Sequence, residues 1–237
     1  MAIINIVLGR RAGVLELVFR LLPLRDMKNV VLVCHLWREV GEAPSFWTGV
    51  RMTVTRENMS TMPERLDSRR MRAVREVRMR WREEVSEEVM EAVARHPGLR
   101  LVEMCGANLS SVDAGLLARV VDKLEEVSFL DTELTGKQVE AVMAALRAEG
   151  CLVKKLNISF NNLSIVEPRL LASLVNRLEE VRMHKTQLTV KQVETVLTRS
   201  LVKTSLRRLV MEGNEENSEL DEDLVARARL VVGELEL

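Results

Sequence analysis

Residues able to do covalent or metal chemistry are few and scattered in this chain, which holds three His and three Cys. His35, His96 and His184 stand alone, and Cys34, Cys105 and Cys151 fall in no Cys/His set with zinc-ligand spacing. There is no G-x-G-x-x-G, no phosphate-binding P-loop and no G-x-S-x-G nucleophile elbow. Cys105 reads as a small strand residue rather than a nucleophile. The expectation is a chain without enzymatic activity that needs no cofactor and no metal. What the residues offer is recognition. Arg78, Arg80, Trp81, Glu103, Leu130, Asp131, Asn157, Phe160, Arg182 and His184 mix large apolar groups with charge. That mixture is typical of the anchors of protein interfaces. The aromatic members stand out because the chain has four Phe, three Trp and no Tyr.

These residues are positioned by a segment written more than once. LEEVSFLDTELTGKQVEAVMAAL begins at Leu124 and LEEVRMHKTQLTVKQVETVLTRS at Leu178. VKKLNISFNNL from Val153 has the same skeleton, L-x-x-L-x-L-x-x-N-x-L. Further copies open at Leu99 and Leu206, a weaker one at Val74, and the strand of a last one at Val232, so the starts lie 25 to 29 residues apart. Side chains alternate along a strand, so positions 4 and 6 of a unit, such as Val127 and Phe129, share one face. Position 11 (Leu134, Leu163, Leu188) turns inward. A helical stripe follows, with Val139, Val142, Met143 and Leu146 in one copy and Val193, Val196 and Leu197 in the next. Thr135 with Gln138, Thr189 with Gln192, and Ser164 with Glu167 read as capping boxes, with Pro168 in the first turn. One unit cannot bury its apolar face alone, so the units are expected to stack into a solenoid.

Repeats of this skeleton and spacing resemble leucine-rich repeats of the helix-bearing, ribonuclease-inhibitor-like type. The resemblance implies an α/β solenoid with parallel strands on a concave face and helices on a convex face. Positions 3, 5, 7 and 8 of each unit would then face a partner on the concave side, and these include the ten recognition residues named above.

Residues 14–50 do not repeat. Val14, Leu15, Leu17, Val18, Leu21 and Leu22 form a helical apolar stripe interrupted by Pro23. Asp26 reads as the N-cap of a second helix through Met27, Val30, Val31, Val33 and Cys34 to Trp37, broken by Gly41 and Pro44 before Phe46 and Trp47. Leu22-Pro23-Leu24-Arg25-Asp26, Val33-Cys34-His35-Leu36-Trp37-Arg38 and Ser45-Phe46-Trp47, in this order, resemble an F-box. Arg10-Arg11-Ala12-Gly13 stands where that family opens with Leu-Pro. With the repeats, the resemblance is to F-box/leucine-rich-repeat proteins. It implies a substrate-recognition subunit of a cullin-RING ubiquitin ligase. A Skp adaptor would dock on Val14, Leu17, Val18, Leu21, Pro23, Val30, Val33 and Trp37, and Cys34 would be buried. The same apolar pattern would also serve a stand-alone repeat protein, binding or inhibitory, whose N-terminal helices only cap the solenoid. The expected organisation is an all-α F-box-like segment over 10–50, a connector over 51–73, and a solenoid over 74–237 of about six repeats plus a terminal strand.

Hydrophobic content of 47% with 30% charged residues suits a globular chain. No apolar run approaches the roughly 18 residues of a membrane span. The apolar stretch from Ala2 to Leu8 has no basic residue before it and no small-residue cleavage site, which makes it a poor signal peptide. Scattered cysteines without a cysteine-rich cap point to a reducing compartment, cytosol or nucleus. Net charge is zero, but residues 1–82 carry a net of +8 and the remainder −8. The basic residues are interleaved with acids and no nucleic-acid-binding motif is present, so the expected partner is a protein. The chain reads to its end on a strand, Val232, Leu235 and Leu237, which is either guarded by the acidic residues before it or continued by further chain.

Overall fold

The structure, a computed structural model, describes residues 13–22, 26–48, 50–68, 71–80, 82–202, 205–214 and 220–237. Its frame is a single sheet of eight parallel strands in sequential order. The strands are β1 (Arg51–Val54), β2 (Glu76–Arg80), β3 (Leu101–Cys105), β4 (Glu126–Leu130), β5 (Lys155–Asn157), β6 (Glu180–Arg182), β7 (Arg208–Val210) and β8 (Glu234–Glu236). Helices return the chain between them: α5 (Met62–Asp67), α6 (Glu87–Arg95), α7 (Ala114–Val121), α8 (Gly136–Arg147), α9 (Pro168–Leu174), α10 (Val190–Ser200) and α11 (Glu222–Val231). This is a repeat-like α/β architecture. Residues 51–73 depart from a plain connector: β1 pairs with β2 through Arg51↔Glu76 and adds a strand at the front of the sheet. Its signal was weak because a 3₁₀ segment (Arg56–Thr61) and the six-residue α5 replace the long apolar helix stripe of later units.

Alternation along each strand builds the core. Val77 and Met79, Val102 and Met104, Val127 and Phe129, and Val181 and Met183 are all buried against the helix layer. Each such side chain contributes about 1.5–3 kcal/mol on leaving water. Leu134, Leu163 and Leu188 close the core after the strands, and the predicted helix residues Val139, Val142, Met143, Leu146, Val193, Val196 and Leu197 are buried with them.

Two caps form as the spacing predicts. The Thr135 hydroxyl accepts from Gln138 N while Gln138 Oε1 accepts from Thr135 N at 2.8 Å, and Thr189 with Gln192 does the same. The third does not. Pro168 has no N–H and starts α9 itself, leaving Glu167 as an N-cap without a side-chain bond, while Ser164 Oγ pairs with Asn162 Oδ1 instead.

Where strand turns into loop, backbone amides and carbonyls are buried and need partners. Asn161 Oδ1 accepts from Thr132 N at 3.3 Å and Leu134 N at 3.1 Å, and its Nδ2 donates to Phe129 O at 2.6 Å and Ile158 O at 3.1 Å. Asn214 repeats this two units later, on Thr186 N, Leu188 N, Met183 O and Met211 O. Gln138 Nε2 reaches Leu109 O and Val112 O, and Gln192 Nε2 reaches Leu163 O and Val166 O.

The N-terminal helices are α1 (residues 13–20), α2 (Met27–Val30), α3 (His35–Glu42) and α4 (Pro44–Thr48). The second predicted helix is thus split in two. The β-branched run Val30, Val31, Val33 disfavours helix, and Cys34 is extended at φ −162° as the N-cap of α3. Arg38 Nε donates to Val31 O at 3.2 Å and ties the two pieces together.

Candidate functional site

Two surfaces are candidates, and they differ in character. The first is on the N-terminal helices. Phe19 faces inward from α1 at 1% exposure, edge-on to Trp37 at 5.2 Å and Phe46 at 6.3 Å between ring centres. Met27, Val30, Phe46 and Trp47 are buried with it in the same core as the sheet, and Trp47 Nε1 donates to Gly41 O at 2.8 Å. The opposite side of α1 is apolar and open: Leu17 is 66% exposed and Leu21, just past the helix, 85%, with Val14 and Val18 also exposed; Leu32 and Val33, in the turn after α2, are exposed as well.

Among the predicted docking residues, then, Val14, Leu17, Val18, Leu21 and Val33 lie on the surface. Val30 does not; it is 5% exposed and belongs to the core, because α2 turns it toward Phe19's side. Trp37 is half-buried, with Phe19 against one edge. Pro23 lies outside the described residues. Cys34 is exposed, contrary to the expectation of burial, since it sits at the break between α2 and α3 rather than inside a helix. Phe19, absent from the predicted stripe, is the residue that joins α1 to the core; its place one step off that stripe was the available signal.

The second surface is the sheet face turned away from the helices. Arg78, Glu103, Leu130, Asn157 and Arg182 line a shallow groove of 370 Å³ there, together with Leu101, Glu126, Ser128, Lys155 and Glu180. Its charges are matched internally. Glu103 takes both Arg78 at 3.2 Å and Arg80 at 3.0 Å; Lys155 meets Glu126 at 2.7 Å and Arg182 meets Glu180 at 2.5 Å. Arg51–Glu76 and Arg208–Glu236, both at 2.8 Å, extend the pattern to the two ends of the sheet. Lys155 is held above the ordinary lysine range, first by its hydrogen bond to Glu126 and then by the charges of Glu126, Glu180 and Glu179, against some desolvation. Apart from Arg78–Glu103, each pair keeps at least one side chain more than a third exposed, so these pairs order the face more than they stabilise the fold.

At the strand ends the predicted residues form a rim. Asp131 and Phe160 are exposed and His184 is half-buried. The Phe160 ring packs edge-on against His184 at 5.0 Å, with Lys185 Nζ 5.8 Å from its centre and His184 Nδ1 3.7 Å from Glu212. Lys185, at position 8 of its unit and so expected on the concave side though not among the ten named residues, lies exposed beside His184 on this rim. Trp81 lies outside the described residues.

Two other titratable groups are perturbed, both in the helix layer. His96 is held below the ordinary histidine range, chiefly by burial, with Lys123 and Arg72 adding to the effect while the Met71 carbonyl and Asp67 oppose it. The Lys123 ammonium donates to the carbonyls of Ala94 and His96, and burial brings its pKa down to about 8. Both close the C-terminal end of α6. A larger groove of 570 Å³ opens between α9 and α10 by Arg169, Glu194 and Arg199, but none of the predicted site residues lines it.

Among the described residues no group of three or more His, Cys, Asp or Glu side chains is placed to hold a metal, and no helix is long and apolar enough to cross a membrane. No protein-family model and no curated protein matches this chain.

Proposed function

We propose that this chain is a non-enzymatic protein-interaction protein with two binding surfaces: an adaptor-docking patch on its N-terminal helices and a partner-reading face on its sheet. The form that fits is an F-box/leucine-rich-repeat protein, the substrate-recognition subunit of a cullin-RING ubiquitin ligase working in cytosol or nucleus. The observation that carries this reading is the division of α1. Phe19 anchors it to the core, while Val14, Leu17, Val18 and Leu21 remain exposed, as do Leu32 and Val33. A helix that only capped the first strand would turn its apolar stripe inward; a contiguous exposed stripe is a docking surface. A capping function is supported as well, by Met27, Val30, Phe46 and Trp47, and it uses the other side of the same helices. The transfer chemistry of a ligase would belong to its other subunits.

The test is co-purification with a Skp adaptor of the wild-type chain beside Leu17→Asp with Val33→Asp. Both positions are exposed, so the double variant should keep the wild-type melting temperature. Micromolar or tighter binding that the variant loses is the expected result. A folded wild-type chain that does not bind would leave the helices as a cap and the protein as a stand-alone repeat binder or inhibitor.

A further inference from the structure

One equivalent position, five residues past the first residue of each of β3 to β7, has left-handed backbone. Gly106 and Gly213 lie at φ +72°, and between them Asp131, Phe160 and Lys185 lie at +54°, +60° and +50°. The turn is set from outside: the amides of Gly106, Asp131, Phe160 and Lys185 donate to the carbonyls of Leu130, Ser159, His184 and Glu212 in the following unit. Glycine meets this demand without strain, whereas an L side chain, above all a bulky one, does not. The fold therefore asks for no side chain here, and uses none at two of the five places. A phenylalanine kept in a strained, sparsely populated conformation points to a use for its side chain.

Phe160 is 45% exposed, while Phe19, Phe46 and Phe129 are at 1% or less. It is held rather than loose, between the His184 edge and the Lys185 ammonium. Its two neighbours along the rim are opposite charges. Asp131 and Lys185 have no ion-pair partner among the described residues, on a face where Arg78, Arg80, Lys155, Arg182 and Arg208 are all paired.

We infer that Asp131, Phe160 and Lys185 are a three-point reader for a helical segment of a partner protein that presents a basic, a large apolar and an acidic residue in that order. Spacing selects the helix. Asp131 and Lys185 are two strands apart, about 10 Å at the usual inter-strand distance. Seven residues of α-helix rise about 10.5 Å and return to the same face, so positions i, i+3 or i+4, and i+7 match the three points. An extended strand brings same-face residues back every 6.6–6.8 Å or so and falls out of step. The charge order follows from the pairing that each rim charge lacks. The inference rests on the sheet face being a partner-reading surface, and it names the chemistry of the partner.

The experiment is selection of a display library of helix-forming random peptides on the purified wild-type chain, with the winners titrated against Phe160→Gly and Lys185→Glu. The expected winners carry the basic, apolar, acidic order at helical spacing. They should lose at least about tenfold in affinity on Phe160→Gly, and Lys185→Glu should select a basic residue in place of the acidic one. Phe160→Gly should melt within about 2–4 °C of wild type, since it relieves the left-handed strain that Phe160→Ala would keep. A fall of more than about 6 °C in Phe160→Gly would mark the ring as structural and overturn the inference. So would an absence of enrichment, a motif without this order, or winners indifferent to Phe160→Gly. No adaptor enters the selection, so failed adaptor docking would sink the ligase role and leave this reader standing, and the reverse holds equally.

Discussion

In the copy that begins at Leu124, Asn161 ties Thr132 and Leu134 to the strand behind it, and Gln138 ties α8 to the loop of the preceding unit. In the copy that begins at Leu178, Asn214 and Gln192 do the same for Thr186, Leu188 and α10. Outward, the copies part. Ser128 becomes Arg182, Leu130-Asp131 becomes His184-Lys185, and Phe160 gives way to Gly213. The buried amides satisfy backbone groups that water cannot reach, and both of these copies supply them. The outer residues answer to no such demand within the fold, and their variation is where recognition can be written.

If the framework is shared, damage to it should cost the same in either copy. Asn161→Leu would leave Thr132 N, Leu134 N and Ile158 O buried without partners, since each lacks another acceptor or donor. Three such losses should destabilise the chain by about 3–5 kcal/mol in urea denaturation. Asn214→Leu should match it to within about 1 kcal/mol. A cost confined to one copy would break the equivalence drawn here.

Gln138→Leu and Gln192→Leu come next. Leu109 O and Leu163 O keep the amides of Val112 and Val166 as donors, so each variant orphans chiefly one carbonyl, Val112 O or Val166 O, and one cap amide, Thr135 N or Thr189 N. About 2 kcal/mol is expected for each, again equal between copies. Gly213→Ala should cost less, about 1–2 kcal/mol, by placing an L residue at φ +72° with its Cβ 2.7 Å from Lys185 Cγ. The corresponding Phe160→Ala changes no backbone demand. Thermal melts in which Gly213→Ala proved neutral would remove the argument that this turn prefers glycine.

Sequence alone carried the period, the strand faces and two of the three helix caps, because each follows from alternation or helical spacing within a single unit. The register offsets between paired strands, 25 residues from Glu76 to Leu101 and 29 from Glu126 to Lys155, agree with the spacing of the starts. What escaped depends on contacts between units or on direction. Val30 and Cys34 exchanged their expected environments because the helix that would have carried both is broken between them. Met52 and Val54 have the alternation of positions 4 and 6 but lack a leucine-led start, so β1 was hidden in a presumed connector. At the candidate sites, residue type and position single out Phe160 and Asp131, and both are exposed on the rim. The pairing that silences Arg78 and Glu103, and leaves Lys185 without an ion-pair partner among the described residues, is set by which charge stands on the neighbouring strand, and no single unit records it.

The front of the sheet offers the last contrast, because there a titratable side chain does what amides do in the later copies. His96 is buried; its Nε2 lies 2.8 Å from Met71 O and its Nδ1 3.2 Å from Gly98 N. A carbonyl can only accept and an amide can only donate, so the ring is neutral with its proton on Nε2. Protonation at Nδ1 would face the Gly98 N–H directly, beside the Lys123 ammonium bound to His96 O. The folded-state pKa is lowered from 6.5, so the unfolded chain binds the proton more readily. The stabilisation is therefore complete above the ordinary histidine pKa and is lost as pH falls from there through the folded value, with a slope of at most about 1.4 kcal/mol per pH unit. His96→Gln, compared with wild type in urea at pH 7.5 and 5.5, should shrink the difference between the two pH values, whereas Asn161→Leu should leave that difference intact. Equal pH dependence in wild type and His96→Gln would mean that the seam at Met71 is no more sensitive to protons than the amide-built seams behind it.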